Sequence, residues 1–303
     1  MARPGWWESS ESSPPGPLLT VVVAHRDGEG DLEPLLARLA PYVDDPRLRL
    51  LVAYDSPMPS IFRDDVDRVT VRGGLTPHLW TAGLRATTTP YAVLTASTLC
   101  PREGWVEAAL AACTGNHAVV GGVVEPAHRP GPGLGGWAVL FCRYTPHLAP
   151  VPPGTDPPGD NAVYRMSGLR RHEDLWADGF WEPFVHRALV ADGESLSTSQ
   201  DLVVEQGPRP GLRAFTRQRF HHGRAHGRDR ARARGRAVVA LSVLASPAVP
   251  VIMTARAARA VWGRGRLRTP FVLALPAVAW CYLAWAAGEA LGGLDVLLGR
   301  PRP

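Results

Sequence analysis

The most constraining feature of the chain is the run Leu18-Leu19-Thr20-Val21-Val22-Val23-Ala24. It is apolar apart from Thr20, rich in β-branched residues and of strand length. A strand that is apolar on both of its faces must be covered on both. Similar runs follow at Leu48 to Tyr54, Val66 to Val71, Tyr91 to Leu94 and Ala118 to Val124. Helical patterns lie between them. Asp31 can cap a helix with apolar positions Leu32, Leu35, Leu36 and Leu39; Leu75 to Ala86 and the stretch from Pro101 to about Cys113 read the same way. Strands alternating with helices predict a parallel sheet flanked by helices on both faces. Ligands of such sheets bind beyond the carboxyl ends of the strands. That directs attention to His25 to Asp27, to Asp55 and to Thr95 to Thr98.

Composition permits a packed core. The 303 residues are 45% hydrophobic and 20% charged, which excludes collagen, coiled coil and wholesale disorder. The length fits one large α/β domain with an appendage, or two domains. The net charge of +5 hides an asymmetry. Residues 1–208 carry 16 Arg against 25 acids, residues 209–303 carry 17 Arg against 3, and no Lys occurs. Coding bias is the first explanation of the all-Arg usage. The asymmetry itself predicts an anionic partner for the last third. Cys100, Cys113, Cys142 and Cys281 are scattered, which favours reduced thiols over a disulfide framework or a zinc site. Residues 1–17 are rich in Ser, Pro and Gly and read as a flexible tail.

Residues 126–160 are rich in Pro and Gly, with a helical stretch near Trp137 to Tyr144. Phe180 to Ala191 looks helical, and Asp201 to Val204 is a short apolar stretch. Residues 209–236 hold 10 Arg and one acid, Asp229. Four readings compete there: a solvated helix face, anionic lipid contact, phosphate binding and, last, nucleic-acid binding, for which no module is present. Two uncharged segments follow, Ala237 to Thr254 with 18 residues and Pro270 to Gly288 with 19. Both are near the lower limit for crossing a bilayer. Arg clusters flank them on every side, so two full crossings would strand one cluster outside. A re-entrant or interface-lying pair on the cytoplasmic face is expected, against the alternative of buried helices in a soluble domain.

The ordered motifs resemble the family 2 glycosyltransferases, nucleotide-diphospho-sugar transferases of GT-A fold. The resemblance covers Leu18 to Arg236. It rests on His25-Arg26-Asp27, Ala53-Tyr54-Asp55-Ser56, Gly83 to Ala86 through Thr95 to Trp105, and Gly121-Gly122. It continues through Gly159 to Arg165, Phe180-Trp181-Glu182, His186 to Leu189, Arg217 to Phe220, and Gly223-Arg224. It implies a mixed, mainly parallel sheet in a GT-A-like domain over 18–236, while the apolar, Arg-flanked stretch 237–303 reads as a membrane-associated helical segment. It implies sugar transfer with inversion from a nucleotide-diphospho-sugar to a lipid-linked or glycan acceptor, in cell-envelope or polysaccharide biosynthesis.

Site roles follow from the same resemblance. His25 and Asp55 are expected at the nucleotide, and Glu182 as the base that deprotonates the acceptor. Asp160, Asn161 and Trp181 are expected near the sugars. Asp55 before Ser-Pro also reads as a turn, Glu182-Pro183 as a helix start, and Asp160-Asn161 as an Asx turn. Adjacent His221 and His222 are expected to be solvated. The family's Asp-x-Asp, which holds Mg²⁺ or Mn²⁺, falls on Ala96-Ser97-Thr98, where no carboxylate remains. Arg217, Arg219 and Arg224 are the candidates to hold the diphosphate in its place. A chain that binds without turnover is the alternative.

Overall fold

A computed structural model describes residues 16–28, 31–56, 66–127, 133–206, 211–232 and 234–300. Most of the expected N-terminal tail lies outside the described residues. Seven elements lead into the sheet: β1 (Leu19–His25), α1 (Glu33–Leu39), β2 (Leu48–Tyr54), β3 (Asp67–Thr70), α2 (Thr76–Ala86), β4 (Tyr91–Ala96) and the short β5 (Leu99–Pro101). Next come α3 (Trp105–Ala112), β6 (Val119–Glu125) and α4 (Gly133–Val139), which runs on as a π-helical turn over Leu140–Tyr144. They are followed by β7 (Ala162–Arg165), α5 (Met166–Arg170), α6 (Glu173–Trp176), α7 (Glu182–Ala191) and β8 (Leu196–Gln206). The chain closes with α8 (Leu212–Arg232), α9 (Arg236–Leu244), α10 (Val249–Trp262) and α11 (Gly265–Leu297).

The eight strands form one sheet in the order β3-β2-β1-β4-β7-β6-β8-β5. The first four are mutually parallel, as the alternation predicts. Beyond them the sheet is mixed: β7 runs antiparallel to both β4 and β6, and β5 antiparallel to β8. All seven residues of β1 are buried, which explains its unbroken apolar character. Leu19, Val21 and Val23 face one layer, with α1, α3, α4 and α11. Val22 and Ala24 face the other, with α2, α5, α6 and α7.

The two C-terminal apolar segments are helical, and they are built onto this domain. Ala257 and Val261 of α10 and Leu267, Phe271, Ala274 and Val278 of α11 join the core of the first layer. The opposite side of α11 is open: Val272, Leu273, Trp280 and Leu283 are each at least half exposed. Among the described helices, α11 is long and apolar enough to cross a membrane; α9 and α10 qualify only as one bent pair.

The α8–α11 contact is unusually close. A Cβ on Gly223 would lie 2.4 Å from the Trp285 carbonyl oxygen, and one on Gly227 2.3 Å from that of Glu289. Reciprocally, Cβ atoms on Gly288 and Gly292 would lie 2.1 Å from the carbonyl oxygens of Phe220 and Arg224. Glycines four apart on each helix therefore let the two backbones touch. Ion pairs lock the register. Buried Asp295 of α11 pairs with Arg224 (2.9 Å) and Arg228 (2.6 Å), and Glu289 pairs with Arg230 (2.7 Å). Two carboxylates that would be costly alone are thus compensated.

Candidate active site

A cleft of about 490 Å³ opens at the carboxyl end of β1 and the approach to α2, with α8 as its opposite wall; Asp55 and Glu182 are not among its lining residues. Arg26, Asp27 and Gly28 follow β1, and Gly73, Leu75 and His78 come from the start of α2. From α8 the cleft receives Arg217, His221, Arg224 and Arg228. These four recur at helical spacing and so share one face. Asp55, just past β2, ties the edge together. Its carboxylate accepts the Asp27 backbone N–H at 3.0 Å and pairs with Arg26 at 3.5 Å. A carboxylate has about four acceptor positions, so capacity remains for a ligand.

His25 and Ser97 stand at the sheet edge beside this cleft. His25 Nδ1 and Ser97 Oγ are 3.0 Å apart and both side chains are buried. Burial lowers the imidazole pKa, although Asp55, Asp27 and Asp31 oppose it. The position where a metal carboxylate is expected therefore holds a hydroxyl already engaged by a histidine. With Ala96 and Thr98 beside it, the donor set does not fit Mg²⁺ or Mn²⁺, which require charged oxygen. Among the described residues no three His, Cys, Asp or Glu side chains converge as a metal group.

Glu182 belongs to a second polar group. It is the first residue of α7, so the helix-start reading holds at the level of structure. Its side chain packs on Gly159, where a Cβ would lie 2.8 Å from Glu182 Cδ. Burial raises its pKa, and the Asp160 carboxylate adds to the effect; His186 and Arg143 oppose it. Asp160 is buried, accepts from Arg143 at 2.6 Å and takes a short hydrogen bond from the Tyr144 hydroxyl. Nearby, Asp156, His186 and Tyr164 form a chain, with contacts of 2.8 Å and 3.1 Å. Trp181 bridges the two groups: its Nε1 donates to Asp229 of the cleft at 2.9 Å.

The geometry corrects four sequence expectations. Arg219 does not reach the cleft. It is buried on the opposite face of α8, with its guanidinium 4.0 Å from the Trp285 ring centre. Its Nε has no hydrogen-bond partner, and burial lowers its pKa to about 10. Asn161 is fully buried and its amide is used inside the sheet. It donates to the carbonyls of Val123 and Leu202 and accepts from Trp105 Nε1. Trp181 is also buried, with its ring edge-on to His222 and His226, and so is not free to stack on a sugar. His222 likewise departs from the solvated expectation. It is buried and its Nε2 is unpartnered. Burial pulls its pKa far down, helped by the charges of Arg143, Arg219, Arg26 and His78.

Residues the sequence reading passed over include Arg143, Tyr144, His78 and Asp229. No motif marks them: Arg143 and Tyr144 meet Asp160, and Asp229 meets Trp181, only through the fold. Arg26 had a signal, its place directly after β1.

No family model matches the sequence, and neither does any curated protein. Solved structures do match by shape. A mannosyltransferase from Pyrobaculum calidifontis, solved with GDP-Man and Mn²⁺, is 18% identical with a TM-score of 0.50, over 92% of this chain and 87% of that one. Glucosyl-3-phosphoglycerate synthase from Mycobacterium tuberculosis, solved with Mn²⁺, UDP-glucose and phosphoglyceric acid, is 17% identical, over 73% and 83%, with a TM-score of 0.44. The first likeness, with the mixed sheet described above, shows that the chain has the GT-A fold of nucleotide-sugar glycosyltransferases.

Proposed function

We propose that the protein is a membrane-associated, inverting glycosyltransferase of family 2 type. It moves a sugar from a nucleotide-diphospho-sugar to a lipid-linked or glycan acceptor in envelope polysaccharide synthesis. Residues 18–236 are the catalytic unit and 237–303 seat it on the cytoplasmic face of the membrane. The observation that carries this reading is the cleft, which sets Arg26 and Asp27, both held by Asp55 behind them, against the basic face of α8. Asp55, close to His25, accepts from the base or ribose of the nucleotide. Arg26, Arg217 and Arg224 meet the diphosphate, since guanidinium groups pair with phosphate through two parallel hydrogen bonds. In this reading no divalent ion takes part.

Glu182 serves as the base. It accepts the proton of the acceptor hydroxyl while the acceptor oxygen bonds to the anomeric carbon. The bond from that carbon to the nucleoside diphosphate breaks on the opposite side. A pKa raised by burial brings a carboxylate closer to the range in which a base is effective. Asp160 with Arg143 and Tyr144 positions the surroundings of that carboxylate.

A second reading, a binding protein without turnover, draws on the Ser97–His25 contact in place of metal carboxylates. Transfer across a panel of nucleotide sugars, with Mn²⁺ and with EDTA, separates the two. The enzyme reading expects EDTA-resistant turnover that Glu182→Gln lowers by about 10²–10⁴-fold. Saturable nucleotide binding with no turnover supports the second reading and sinks the first.

A further inference from the structure

The loop that carries Asp156 and Asp160 is short of hydrogen-bond donors. Six of the thirteen residues 146–158 are Pro, which has no N–H to offer. Its carbonyls therefore need partners from outside the loop. Two arginines at the corner between α10 and α11 supply them. The Arg264 guanidinium donates to the carbonyls of Thr145 (2.8 Å), Pro150 (3.2 Å) and Pro146 (3.3 Å). Arg266 donates to the Ala149 carbonyl at 2.9 Å and holds buried Glu125, at the end of β6, through two contacts of 2.8 and 3.0 Å. Glu125 in turn accepts the Ala149 N–H at 3.1 Å. Residues 145–150 are thus clamped between the sheet and the α10–α11 corner.

The clamp is connected to Glu182. His147, inside the clamped stretch, donates from Nε2 to the Asp156 carbonyl at 2.8 Å. The Asp156 carboxylate lies 2.8 Å from His186 Nδ1, one turn along α7 from Glu182. From the other side, Tyr282 of α11 donates to the Phe141 carbonyl at 3.0 Å. Phe141 belongs to the π-helical turn that brings Arg143 and Tyr144 to Asp160.

We propose that Arg264 and Arg266 are positioning residues for Glu182: through the loop 145–160 they set the charges around its carboxylate. This rests on the glycosyltransferase reading, with Glu182 as the base, and gives the segment after residue 236 a part in the chemistry besides seating the protein. The titratable groups facing Glu182 are Asp160 from the loop, Arg143 and Tyr144 from the π-helical turn, Tyr164 from β7 and His186 from α7. Burial and Asp160 hold its pKa up, and a loosened loop weakens both. His186 and Arg143 act the other way and stand on elements outside the loop, so they remain. Releasing the clamp therefore moves the acid limb of kcat to lower pH, whereas loss of folded protein scales the profile without moving it.

The test compares full-length wild type, Arg264→Met, Arg264→Lys and the double variant Arg266→Met/Glu125→Gln in neutral detergent. The double change leaves no buried carboxylate unpaired. The reaction is hydrolysis of the nucleotide sugar that wild type turns over fastest, read as nucleoside diphosphate released. Arg264→Met and the double variant should lower kcat about 10- to 100-fold. Their acid limb should fall by about half a pH unit or more, with nucleoside diphosphate affinity unchanged. Arg264→Lys, which keeps N–H donors for the loop carbonyls, should recover most of kcat. Wild-type kcat in both Met variants overturns the proposal, as does a fall in kcat with the acid limb in place. If wild type releases no nucleoside diphosphate from any nucleotide sugar, the glycosyltransferase reading falls and the role of the clamp with it.

Discussion

The two faces of α8 carry the same residue types in opposite states. Toward the cleft lie Arg217, His221, Arg224 and Arg228; toward the core lie Phe215, Arg219, His222 and His226. On the first face arginine meets solvent or a carboxylate. On the second it lies flat on Trp285 with Nε unbonded, and the histidines are held neutral by burial. Residue type therefore does not assign function here. Helical phase does, because successive residues advance about 100° around the axis and separate Arg217 from Arg219.

Breaking the core face should have the largest effect. Gly227→Leu drives a side chain into the Glu289 backbone, where no rotamer change gives relief. We expect a loss of upward of about 3 kcal/mol in denaturant unfolding. A near wild-type midpoint would mean that the α8–α11 contact is looser than described.

Acid should act next. His226 stacks on Phe184, and burial, with Arg230 and Arg219 adding, lowers its pKa to about 4. The unfolded chain takes up that proton near pH 6.5. Stability is therefore fully present above about 6.5 and is lost as pH falls toward about 4, by at most about 3 kcal/mol. His226→Phe should flatten the slope of stability against pH in that window; an unchanged slope would assign it to other groups.

Arg217→Ala sharpens the other side of the comparison. It should weaken nucleoside diphosphate binding about tenfold, as expected for loss of a charge-assisted contact, with Tm unchanged. The mildest change is Arg219→Met. Replacing a buried, incompletely bonded guanidinium with an apolar chain should stabilise the fold by about 1 kcal/mol and leave nucleotide affinity within twofold. Were Arg219→Met to abolish nucleotide binding, the assignment of the two faces would be reversed.

Much of the parallel half of the sheet was readable from β1, β2 and β4, and β6 in the mixed half likewise, because their apolar runs exceed what a half-exposed strand needs. β7 was not, since Ala162–Arg165 is four residues emerging from a Pro/Gly loop and gains its strand character from both neighbours. Only Asp201 to Val204 of β8 stood out, because its first half, Leu196-Ser197-Thr198-Ser199, is mostly polar. Asp55 could be placed at the sheet edge because a strand end fixes it. The sorting of the α8 arginines is a matter of counting turns, but which face meets the cleft depends on α11. The Asp160–Arg143–Tyr144 cluster could not be foreseen, as nothing local relates a loop aspartate to a π-helical turn.

The pairing of Asp295 with Arg224 and Arg228 also sets an order of events during synthesis. The β1 side of the cleft leaves the ribosome about 270 residues before the carboxylate that orients the opposite wall. At ordinary elongation rates that interval is on the order of tens of seconds. α8 itself is made about 60 residues before Asp295, and until that point it has neither its counter-charge nor the backbone of its partner helix. The wall of the cleft is thus completed only when α11 appears, and a chain that stops before α11 presents a sheet edge with no finished wall facing it.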